Sequence, residues 1–267
     1  MTTLTTAAST PDATRAARRR TNPFVHYLLG SLGIMLREWS FLAFVVAMPT
    51  TMYLFFSSMF GSYAADGGVS VAAAMMVMMA TYGGLGAAMS AGNQIQNERS
   101  TGWFRQLMIT GLTPAQFVAA KVLVAVGVVI PAIGIVFVAG ALRGVRLDAA
   151  AWLGSFALLL LALLPMILLG LTLGLWFKPA AASAATTLVM LALSMLGGLW
   201  IPLEMMPAPM QALGLSLPSY WAAQIGAWPI MGGEFPWRGV AVIGAWSLVL
   251  VGLGALGYRR AVRTSRR

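Results

Sequence analysis

The chain has no cysteine, one histidine and only 9% charged residues. Without cysteine there can be no disulfide framework, no zinc thiolate site and no cysteine nucleophile. His26 sits alone among apolar residues with no second ligand residue near it, so it reads as a partly exposed helix histidine rather than a metal site. Charge is also far below the roughly 25% of an ordinary soluble domain. Enzyme signatures are missing too: no GxxxxGK[ST] loop to cradle phosphates, no HExxH and no Cys/His cluster. What fills the chain instead is apolar, with 59% of 267 residues hydrophobic and a mean hydropathy of +0.82. No aqueous core hides that much apolar surface, so the solvent is lipid.

A net charge of +10 would suit nucleic acid, but its distribution does not. Arg15, Arg18, Arg19 and Arg20 precede the hydrophobic body, and Arg259, Arg260, Arg263, Arg266 and Arg267 follow it. Basic flanks of this kind mark the cytoplasmic side of a membrane protein, and no nucleic-acid partner is expected. The apolar stretch after Arg20 is much longer than the roughly 7–15 residues of a signal h-region and lacks a small-residue cleavage site. Residues 1–21 therefore read as a disordered cytoplasmic tail, and 259–267 as a basic one.

A membrane span needs about 20 mostly apolar residues. The run from Phe24 is too long for one helix and breaks at Arg37-Glu38, which makes 22–38 an amphipathic helix on the cytoplasmic surface. The body, 39–258, divides into six spans: Trp39–Gly61, Val69–Gly92, Val122–Leu142, Trp152–Phe177, Ala180–Pro202 and Val240–Tyr258. The expected fold is thus an all-α polytopic membrane protein. No span carries a charge in its central part, which argues against a proton-coupled transporter or ion pump and implies energy from a partner. Small residues recur down the second span at Ala80, Gly84, Ala88 and Gly92. They serve either packing within the chain or contact with a second copy. Four methionines within Met75–Met79 either line an adaptable substrate surface or simply pack.

Two connections are long. Pro202 and the outer segment 203–238 hold six of the thirteen prolines, which suggests a compact cap. The other, 93–121, is polar and dense in signal. Ser100 to Ile109 reads as a short amphipathic helix with Trp103, Leu107 and Phe104 on an apolar side, and Arg99, Arg105 and Gln106 in water. Gly111 ends it, Thr113 caps the next helix and Pro114 takes its first position. Such a helix either docks another protein or rests on the membrane.

Glu98 after the second span, then Gly102, Leu107, Thr113-Pro114, Gln116-Phe117 and Lys121, resembles the membrane proteins of the ABC type-two exporter class. The resemblance covers essentially the whole chain. That family includes drug and antibiotic-resistance permeases, lipid and polysaccharide exporters and lantibiotic-immunity transporters. The resemblance implies a permease of the bacterial cytoplasmic membrane that lacks a cofactor of its own. ATP and Mg would act on a partner ATPase subunit, and a second copy or a related permease would complete the transporter. The helix within 93–121 would be a coupling helix, with Glu98, Arg99, Gly102, Trp103, Leu107, Thr113, Pro114 and Lys121 at the partner junction. The outer segment would be re-entrant. A route along the second and fifth spans makes Met75, Met79, Tyr82, Met190 and Ser194 candidate pathway residues. Apolar, methionine-rich spans favour a hydrophobic or amphiphilic cargo, drug-like or peptide-like, with lipid or lipid-linked glycan as the alternative. A membrane assembly factor that does not transport, and a membrane-bound lipid transferase, are the other classes weighed. The transferase lacks a carboxylate or His/Asp cluster, since Asp66, Asp148, Glu204 and Glu234 are scattered.

Orientation follows from the basic residues. With the N-terminus inside, only Arg143, Arg146 and Arg238 of the 17 Lys and Arg fall outside, leaving 14 on the cytoplasmic side. Both termini are therefore expected in the cytoplasm. An alkaline-phosphatase fusion at Gly232 should be active and one after Arg267 inactive; the opposite pattern overturns this topology.

Overall fold

The computed structural model describes residues 23–37, 39–61, 70–101 and 113–265, and every regular element among them is a helix. Helices α1 (Pro23–Arg37) and α2 (Trp39–Phe60) precede α3 (Val71–Ser100) and α4 (Pro114–Leu142). Then come α5 (Ala149–Ala162), α6 (Leu164–Trp176) and α7 (Pro179–Leu196). A 3-10 turn (Leu203–Met205), α8 (Ala208–Gly214), α9 (Pro218–Met231) and α10 (Trp237–Ser265) complete the chain. An all-helical solution suits lipid, where each backbone N–H and C=O must find its partner inside the segment.

Among the described residues, four helices are long and apolar enough to cross a membrane: Val71–Ser100, Ala115–Leu142, Ala149–Trp176 and Trp237–Arg260. Two shorter apolar stretches, Val45–Phe60 and Ala181–Leu196, belong to α2 and α7. The chain is thus a multi-pass membrane protein.

Several boundaries differ from the sequence expectation, each for a local reason. Helix α3 continues past Gly92 to Ser100 because Gln94, Gln96, Glu98 and Arg99 are good helix formers. Polarity there marks the end of the apolar surface rather than the end of the helix. Helix α4 starts at Pro114, well before Val122. Thr113 Oγ1 accepts from the Gln116 amide (3.3 Å), and Gln116 Oε1 accepts from the Thr113 amide (3.0 Å). That capping box and the proline at the first position set the start. Both ends of the 93–121 segment are therefore helical. The fourth apolar run breaks at Leu163, since Pro165 has no N–H for the carbonyl four residues back. Helix α7 stops at Leu196, and Gly198 takes the left-handed conformation (φ +72°) that turns the chain out of the helix.

Helix α3 is the centre of the molecule, packed against α2, α4, α6, α7 and α9. Its small residues make that possible. Ala80 and Ala88 are fully buried, a side chain at Gly84 would strike Leu163, and one at Gly92 would strike the Gly170 backbone. The stripe thus packs within the chain rather than against a second copy. Its tightest contact is with Gly170 and Gly174 of α6, a GxxxG pair. A Cβ at Gly170 would lie 2.9 Å from Met89 Cα, and one at Gly174 would lie 2.5 Å from the Gly92 oxygen. Close backbone approach replaces the hydrophobic drive that lipid removes.

The segment after α7 is tied down by hydrogen bonds. Ser219 Oγ donates to Leu193 O (2.7 Å), Trp221 Nε1 to Leu215 O (2.8 Å) and Trp246 Nε1 to Ser216 O (2.9 Å).

Gly170→Leu should force two backbones apart and cost about 3 kcal/mol, the upper end for overpacking. Its thermal midpoint in detergent should fall well below that of Gly244→Leu, since nothing lies within 4 Å of a Cβ at Gly244. Equal midpoints would refute the close contact.

Candidate functional site

At the end of α3 and the start of α4, a charged cluster joins three helices. Lys121 on α4 is 1% exposed, and its Nζ lies 2.7 Å from Glu98 Oε1 on the last turn of α3. A capped start to α4 sets that geometry, because it puts Lys121 two turns into a rigid helix facing α3. Burying a lone ammonium would cost several kcal/mol, so the carboxylate is required. Tyr27 of α1 supplies the third part. Its hydroxyl donates to both Glu98 oxygens, at 3.0 and 3.2 Å.

Aromatic rings shield the pair. Lys121 Nζ lies 5.4 Å from the Tyr27 ring centroid and 5.9 Å from that of Phe117. Such contacts suit a cation denied water. Phe117 also stacks on Tyr27 (6.0 Å) and meets Tyr258 of α10 (5.9 Å). Burial first, then the Glu98 charge and hydrogen bond, push the Tyr27 phenol far above its ordinary pKa. It therefore remains a neutral donor.

Arg99, the next residue, points to α6. Its Nη1 donates to the carbonyls of Gly174 and Leu175 (both 2.9 Å) and of Phe177 (3.2 Å). These are open acceptors at a helix C-terminus, where a cation is also favoured by the dipole. Nearby, Trp176 Nε1 donates to Leu253 O (2.9 Å), and the Arg260 guanidinium lies 5.7 Å from the Trp176 ring. Glu98 and Arg99, the expected polar contacts of a partner junction, thus each find partners inside the chain. Thr113 and Pro114 start α4, and Gly102, Trp103 and Leu107 lie outside the described residues.

The pathway candidates divide. Tyr82 and Met190 share a crevice of about 140 Å³ between α2, α3 and α7, with Met48, Met89, Ser90, Asn93 and Thr186. The Tyr82 ring meets Trp200 edge-on at 5.5 Å. Thr186 Oγ1 is buried with no hydrogen-bond partner among the described residues. Met79 is buried and Met75 half-buried, and neither lines the crevice. Ser194 is fully buried, its hydroxyl donating to Met190 O (2.7 Å).

Tyr27 escaped the sequence reading. An isolated tyrosine on an amphipathic helix 71 residues from its acceptor gives no local signal. The one available clue was Lys121 itself, since a lysine opening an apolar span calls for partners.

Glu98→Gln strands the Lys121 charge and should cost about 3–5 kcal/mol. Adding Lys121→Met should recover most of it. Thermal unfolding in detergent of both singles and the double gives the coupling directly; an unchanged Glu98→Gln midpoint would contradict the buried pair.

Comparison with known proteins agrees with this architecture. Residues 28–228 match the family described as ABC-2 type transporter. A Bacillus subtilis (strain 168) chain bearing the name transport permease YvfS is 28% identical over 220 residues, covering 81% of this chain and 89% of that one.

Proposed function

The chain belongs to the ABC-2 type transporter family, and on that premise we propose that it is the permease of an ATP-driven exporter. A separate ATPase subunit, with ATP and Mg, drives it. Helices α2 and α7 join the four longer spans to make six, with both termini cytoplasmic. Its cargo is hydrophobic or amphiphilic, a drug, antibiotic or peptide-like compound leaving the cytoplasm or the inner leaflet.

The Lys121–Glu98–Tyr27 junction carries this reading. The expected coupling helix, Ser100–Ile109, begins where α3 ends, two residues past Glu98, and α4 begins just beyond it. A push on that helix when the ATPase pair closes arrives at Glu98. From there it reaches α4 through the ion pair and α1 through the tyrosine hydroxyl. Arg99 passes the same displacement to α6. Trp103 and Leu107 seat the coupling helix in the partner.

The crevice between α2, α3 and α7 fits the start of the route. Its methionines adapt to varied apolar shapes, and Tyr82 and Thr186 supply a few polar groups. Two of its helices also carry exposed apolar residues, Phe55 (59%) on α2 and Leu188 (67%) on α7. A second permease, identical or related, covers that face.

Docking and transmission separate by mutation. Trp103→Ala removes an interface anchor, a loss of about 2 kcal/mol or more, which weakens pairing at least about thirtyfold. It should fail to copurify with the ATPase. Glu98→Gln/Lys121→Met keeps the fold, so it should copurify and hydrolyse ATP yet export poorly from proteoliposomes. Wild-type pairing by Trp103→Ala would remove the docking assignment, and wild-type export by the double variant would remove the transmission role.

A further inference from the structure

A second crevice, larger than the first and on a different side of α3, lies between α4, α6 and α10. Its volume is about 750 Å³, within the roughly 300–1,000 Å³ of pockets that enclose small molecules. Leu168, Leu171 and Leu175 of α6 face Leu250, Val251 and Gly254 of α10 across it. Arg259 lines its end. From Leu250 to Arg259 a helix rises about 14 Å, close to half the roughly 30 Å of a bilayer's hydrocarbon. The crevice therefore has the depth of one leaflet, with walls that are apolar apart from Thr172 and the buried, Glu98-paired Lys121, and with Arg259 as its exposed cation at the headgroup level.

We propose that it binds one acidic phospholipid of the bilayer, an acyl chain between α6 and α10 and the anionic headgroup on Arg259. Charge complementarity selects this occupant. Arg259 is exposed, and among the described residues no carboxylate pairs with it. Glu98 is already committed to Lys121 and Tyr27. Arg260 follows on the same helix, its guanidinium 5.7 Å from the Trp176 ring. Basic pockets between spans at the cytoplasmic side are the usual setting for anionic headgroups. The site rests on α10 being a membrane span and not on any transport activity.

Retained lipid on the full chain tests it. The protein is reconstituted with equal phosphatidylglycerol and phosphatidylcholine, then released from the bilayer for native mass spectrometry. One phosphatidylglycerol should be held with about fivefold preference, as one arginine at an anionic surface provides. Arg259→Gln, a surface change that keeps the fold, should abolish the preference. Gly254→Leu should lose both lipids by filling the crevice, since a Cβ there meets only Thr172 Oγ1 at 3.6 Å. Glycerol phosphate, a headgroup without a tail, should not compete. Equal retention of the two lipids by wild type overturns the proposal, as does an unchanged preference in Arg259→Gln. Competition by glycerol phosphate does so too, by reducing the site to a phosphate patch. A disulfide between Gly254→Cys chains would assign the crevice to a second copy instead. Loss of export with lipid retention intact leaves this site standing, and the converse leaves the transporter standing.

Discussion

The Lys121 ammonium lies 1% exposed near the start of an apolar helix. In that setting an ammonium without a counter-charge is not sustainable. Much of the molecule's polar end follows from satisfying it. Helix α3 must run on far enough past its apolar part to deliver Glu98. Helix α4 must start early enough, and straight enough, to aim Lys121 back at α3. Helix α1 must lie against α4 so that Tyr27 can use the remaining lone pairs of the carboxylate. The Tyr27 and Phe117 rings then lie beside the ammonium and shield it from water. Remove the lysine, and the approach of α1 and α4 to the end of α3 loses its electrostatic reason.

A different force holds the apolar half. Lipid offers no hydrophobic drive between helices, so contact area and close approach replace it. Glycine supplies them at the cost of helix propensity. Gly92, Gly170 and Gly174 bring α3 and α6 backbone to backbone. Alanines extend the contact along α3, and larger groups such as Leu163 and Ile133 fill the room left by Gly84.

Legibility in the sequence followed the range of the interaction. The membrane class was plain from composition, because lipid exposure constrains every residue of a span. Thr113-Pro114 was readable as a helix start because capping is settled within four residues. The end of α3 was not, since nothing within Asn93–Ser100 separates a polar helix end from a polar loop. The break at Leu163 was hidden inside an unbroken apolar run, although Pro165 was its visible cause. The small-residue stripe was found, but its partner was not, since nothing local distinguishes a glycine facing α6 from one facing a second copy. Lys121 and Glu98 were singled out as members of a motif. Their pairing, and Tyr27 above all, depended on how α1 folds back over α4.

Helix α3 is held to α6 at two levels. One is the glycine contact at Gly92, and the other is Arg99 on the C-terminal carbonyls of α6. A single point of attachment would leave α3 free to pivot, but two points spaced along its axis remove both the pivot and the roll. The two helices therefore behave as one plank, and a load applied at its polar edge shifts the whole plank rather than twisting one helix within it.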